Sequence, residues 1–137
     1  MSIAIGKSGL MSCASIVEFD RDLSGAQTIE PGHVLRLSST GAIMRGTEIS
    51  SEGGVIVHRT GIYTLTVQIA PNSKSELMRY VIKIDDTELI PSSGSMMWTF
   101  IVVSITSGQK ITIINAGVSA YVLDGPIGSL FVDIVTR

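Results

Sequence analysis

The chain holds a single cysteine, Cys13, among 137 residues. One thiol cannot close an internal disulfide, so stability must rest on packing, and the compartment is left open. Charge is scarce as well: Asp, Glu, Lys and Arg make up 16% of the chain, against roughly 25% in an ordinary domain. The net charge is −2, and the lysines and arginines stand scattered. No basic stripe therefore marks a nucleic acid or an anionic lipid as partner. Long apolar runs are missing too. The longest, MMWTFIVVSI from Met96 to Ile105, is half the ~20 residues that cross a bilayer. LMSC, Leu10 to Cys13, loosely matches a lipid-attachment box, but the nine residues before it lack the apolar segment of a signal peptide. The expectation is no transmembrane segment, no signal peptide and no membrane partner.

Chemistry-bearing patterns are equally thin. His33 and His58 are the only histidines, and neither has a cysteine or carboxylate at ligand spacing, so no zinc site is expected. No serine sits in G-x-S-x-G, and GKSG at Gly6 to Gly9 has neither the strand nor the leading glycine of a phosphate loop. Asp85, Asp86 and Glu88 offer oxygen ligands to calcium without EF-hand spacing, and a solvated turn is the preferred reading. Cys13 is read as incidental rather than as a reactive thiol. No catalytic residue, metal ligand or cofactor is assigned, and an enzyme is not expected.

What the chain does have is apolar surface in excess: 45% hydrophobic residues and a mean hydropathy of +0.42. One domain of this length buries roughly two thirds of its unfolded surface, and the remainder calls for a partner subunit. Helical periodicity is absent, whereas Gly, Ser, Thr, Ile and Val arrive in short alternating packets. Strands are predicted at Ser15 to Phe19, His33 to Leu37, Gly54 to His58, Gly61 to Ile69, Leu77 to Ile84, Trp98 to Ile105, Lys110 to Asn115 and Ser129 to Val135. Weaker ones fall at Ala42 to Arg45 and Ser119 to Leu123. So many short strands in one domain predict a sandwich or barrel. Residues 1–14 read as a flexible amino-terminal tail and 15–137 as the domain. Turns are expected at APNSKS after Ile69, at Asp85-Asp86 and at TSGQK, Thr106 to Lys110.

The order GIYTLTVQI, RYVIKIDDTEL, TFIVVSITSGQKITIINAG and GSLFVDIV resembles the jelly-roll module of tumour necrosis factors and complement globular heads. It is most similar to the bacterial version in the C-terminal domain of the collagen-like glycoprotein on bacillus spore surfaces. The match rests on G-x-Y at Gly61 and Tyr63, on VIKIDDTEL where the family often has an Asn-Gly turn, on SITSGQKITI for L-x-x-G-D-x-V, and on an apolar final strand. Gln109 replaces the usual acid, and Asp85-Asp86 replaces Asn-Gly. The resemblance implies a β-sandwich of about ten antiparallel strands in a homotrimer whose inner sheets face one another.

In that setting Tyr63, Leu65, Val67 and Ile69 fill the core, and the uncharged alternate face of the same strand, Thr64, Thr66 and Gln68, meets the other copies. The final strand is apolar on both faces, which adds Phe131 and Val135 to the expected trimer interface. Met96, Met97 and Trp98 form a candidate partner-binding patch, since an aromatic face beside flexible methionines suits apolar surfaces. The leading expectation is a structural or surface-display module of a spore coat, filament or phage particle, found at a spore surface or in a virion. The alternative is a module that binds carbohydrate or a protein receptor through loops such as Glu48 to Gly54 and Ile90 to Met97, or across subunit boundaries.

Overall fold

A computed structural model describes residues 14–19, 25–89, 98–124 and 130–136; over 14–19, 39–45, 98 and 130–136 the description is of the backbone. Twelve strands follow in chain order: β1 (Ala14–Phe19), β2 (Gln27–Ile29), β3 (Leu37–Arg45), β4 (Thr47–Ile49), β5 (Val55–Val57), β6 (Gly61–Ile69), β7 (Tyr80–Ile84), β8 (Thr87–Glu88), β9 (Trp98–Ile105), β10 (Lys110–Asn115), β11 (Tyr121–Leu123) and β12 (Leu130–Thr136). The described residues contain no helix, and so none that could cross a membrane. Two five-stranded antiparallel sheets, ordered β3-β1-β12-β6-β9 and β4-β5-β10-β7-β8, carry ten of the strands, and β11 pairs with β2 in a short ribbon.

The sheets close on one core because alternate residues of each strand point inward. In β6 the inward set Tyr63, Leu65, Val67 and Ile69 is at most 1% exposed. Opposite it lie Tyr80, Ile82 and Ile84 of β7 with Ile111 and Ile113 of β10. Burying each such side chain contributes roughly 1.5–3 kcal/mol. A polar bond crosses the core between the Tyr80 hydroxyl and the Thr99 hydroxyl. Burial pushes the Tyr80 phenol above its ordinary value, and the bond to Thr99 partly offsets that.

β6, β9 and β10 have the predicted bounds, and both weaker strands are present, as part of β3 and as β11. The segment predicted as a strand over His33 to Leu37 is different. It makes a single bridge, Val34 to Ile114, with Leu35 N–H donating to the Ile113 carbonyl and Asn115 N–H to that of His33. It runs along the part of β10 that short β5 leaves unpaired, and the long strand starts only at Leu37. β7 likewise begins at Tyr80 rather than Leu77, because Asn72 holds the preceding residues in a loop. Its side-chain oxygen accepts from Lys74 and Glu76 N–H, and its amide donates to the Glu76 carboxylate and the Val122 carbonyl.

The predicted turns are in place. Asp85 adopts a φ of 51° at the β7–β8 hairpin, a conformation that Asp tolerates better than most residues. Gly108 takes a φ of 92°, and its N–H donates to the Val57 carbonyl. Gln109, the departure from the family pattern, stabilises this turn itself: its side-chain oxygen accepts from Thr106 N–H and its amide reaches Asp85.

Candidate functional site

The register of the first sheet lines up residues from all five strands. One row runs Ile43, Ile16, Asp133, Thr66, Phe100, and the next runs Arg45, Ala14, Val135, Thr64, Val102. A third joins Phe131, Gln68 and Trp98. These rows alternate with the core positions, so they belong to the sheet's outward side. There Thr64 and Thr66 are half-buried and Gln68 is exposed. Beside them Ile62 is 49% exposed, Phe100 52% and Val102 54%.

An outward sheet face normally alternates polar residues toward water. Here the two strands whose side chains are described, β6 and β9, offer aliphatic, aromatic and hydroxyl groups without a charge. The sequence reading named Thr64, Thr66 and Gln68 of this face but missed Ile62, Phe100 and Val102. The signal was available: β9, WTFIVVSI, is apolar at both parities, and Ile101 and Val103 already pack on the core from the other side. Phe131 and Val135 take register positions opposite Gln68 and Thr64. Trp98 opens β9 opposite Gln68, whereas Met96 and Met97 lie outside the described residues, as do Cys13 and the rest of the loop from Ile90 to Met97.

The first and last strands of this sheet lie side by side, with Ala14 opposite Val135. The far end, where β6 and β10 finish, carries the loops 70–79 and 116–120. Two buried asparagines shape them. Besides the Asn72 contacts, Asn115 donates to the carbonyls of Ile29 and Ser119 and accepts from Gly117 N–H. That turn presents Val118, which is 97% exposed, with Leu77 beside it along one shallow depression. Asp124 accepts from the N–H and hydroxyl of Ser73, and these bonds hold its carboxyl below the usual range. The Tyr121 hydroxyl donates to the Glu76 carbonyl, and burial pushes that phenol up to about 12.

The other sequence candidates have structural partners. In the loop from Glu48 to Gly54, Gly53 and Gly54 are buried, and the Gly53 carbonyl accepts from Leu37 N–H. Glu52 forms an ion pair with Lys110, and Glu48 faces His58 at 3.3 Å. Asp85 accepts from Lys110 N–H and the Gln109 amide, so it is engaged in its turn. Among the described residues no three of His, Cys, Asp and Glu gather as metal ligands.

No protein-family model matches the chain, and no curated protein matches it in sequence. Its likeness is to solved structures. Eiger TNF from S. frugiperda superposes with a TM-score of 0.65 at 15% identity, over 90% of this chain and 91% of that one. Murine APRIL gives 0.65 at 19% identity, over 91% and 98%. PRD1 vertex protein P5 gives 0.55 at 14% identity, over 91% and 95%. The fold is a TNF-like jelly roll. At these identities the likeness concerns the fold, and function must be argued from the surface.

Proposed function

We propose that the chain is a non-enzymatic structural or surface-display module that works as a homotrimer through the outward face of its β3-β1-β12-β6-β9 sheet. The observation that carries this is the exposed apolar group Ile62, Phe100 and Val102 beside Thr64 and Thr66. Soluble monomers rarely leave such contiguous apolar area to water, and a face poor in charge can be buried without stranding an ion. The resemblance to trimeric jelly rolls supports three copies rather than two. A spore coat, a surface filament or a virion is the setting this favours; that a vertex protein shares the fold is in keeping with it.

A second reading is a module that binds carbohydrate or a protein receptor. Its support is Val118, an apolar residue held out on a turn braced by Asn115, since an anchor fixed in advance loses little entropy on binding. The two readings separate by experiment. Light scattering tests the first, with a mass near three times 14.5 kDa expected and a mass near the single-chain value overturning it. A glycan array and a receptor pull-down comparing wild type with Val118→Ser test the second.

A further inference from the structure

The face on which the proposed trimer rests carries one acidic residue at its middle. β12 is the central strand of five, and Asp133 stands halfway along it, opposite Ile16 of β1 and Thr66 of β6. Phe100 of β9 continues the row on one side and Ile43 of β3 on the other. Among the neighbouring rows the other charges are Arg45, on the edge strand β3 in the row of Val135, two strands from β12, and Glu18 of β1, two residues beyond Ile16. Glu18 of β1 lies past an irregularity in the β1–β3 register and pairs with Ser38. Within each copy, then, Asp133 has uncharged register partners on both sides.

We infer that assembly of this face is coupled to protonation of Asp133, so that the trimer takes up protons as it forms. This rests on the trimer reading above. Joining copies through the middle of the sheet brings the Asp133 residues toward one another and removes water from them. Like charge and desolvation both favour the neutral acid. The sign follows: an acid whose assembled pKa lies above its free value of about 3.9 favours the trimer at low pH. That contribution is lost as pH rises through the raised value. Each unit of upward shift is about a tenfold effect per site.

The test is a dilution series by sedimentation velocity, at about pH 4 and about pH 8, on the wild type, Asp133→Asn, and Asp86→Asn as an exposed-turn control. The concentration for half-dissociation is expected to rise about tenfold or more from the lower to the higher pH in the wild type and in Asp86→Asn. In Asp133→Asn it should stay low at both. A trimer equally tight at both pH values overturns the inference and leaves the trimer standing. So does a trimer that Asp133→Asn loosens, which would mean that Asp133 meets Arg45 of another copy. A single-chain mass at every pH and concentration overturns both proposals. The wild-type profile decides by itself if the Asn variant does not fold.

Discussion

Gly53 shows how one residue can bind two layers. Its φ is +100°, and a β-carbon there would stand 2.8 Å from Cβ of Arg36 and closer still to the Arg36 backbone. Backbone cannot retreat as a flexible side chain can. Gly53→Ala is therefore expected to cost about 2–4 kcal/mol, from positive-φ strain and overlap together, read as a lowered denaturation midpoint. Asn115 is the polar counterpart. It is buried and bonded to Ile29, Ser119 and Gly117, so Asn115→Ala leaves two carbonyls and an N–H without their partner. A loss of about 2–3 kcal/mol is expected, with amide exchange of residues 117–119 speeding up more than that of β6.

Among the elements, strands with strict alternation were the most legible. β6 shows its inward set in the sequence because each residue between Tyr63 and Ile69 changes face, and those four positions are buried. β2 and β4 were not anticipated, and β8 was legible only as the return of the hairpin at Asp85-Asp86; they are two or three residues long, too short for any period to show. The segment from His33 to Leu37 looks like a strand and makes one bridge, because its place on β10 was decided by where β5 stops. The loop 72–76 is held to the end of β11 through Asp124, and here a pH dependence follows. The carboxyl is held below its ordinary value by the Ser73 hydroxyl and N–H. Its contribution is thus complete above the ordinary carboxylate range and is lost as pH falls through the lowered value. The Ser73 amide signal should titrate below the ordinary carboxylate range. Asp124→Asn should let trypsin cut after Lys74 faster at neutral pH.

At the scale of the whole molecule the question is which surplus surface is covered. Thr66 lies in the middle row of the outward face, flanked by Asp133 and Phe100. Thr66→Lys would set a long cationic side chain beside Asp133 in each copy, and taking such a pair of charges out of water costs several kcal/mol. Light scattering should then give the single-chain mass, with unchanged far-ultraviolet circular dichroism. Lys74→Glu, in the exposed loop at the far end, should leave the assembly intact. A Thr66→Lys protein that keeps the wild-type mass would mean that the copies meet elsewhere.

Composition and alternation alone determined an all-β chain rich in apolar residues, the core side of β6, and the turns at Asp85 and Gly108. These are local properties: a period of two and a turn preference are written within a few neighbours. Which side of β9 meets water was not local, since WTFIVVSI is apolar at both parities and only its pairing with β6 separates Ile101 and Val103 from Phe100 and Val102. The rows that join Ile16, Asp133, Thr66 and Phe100 were likewise decided by tertiary structure, because a ladder between strands distant in the chain has its register set by the packing of the whole sandwich.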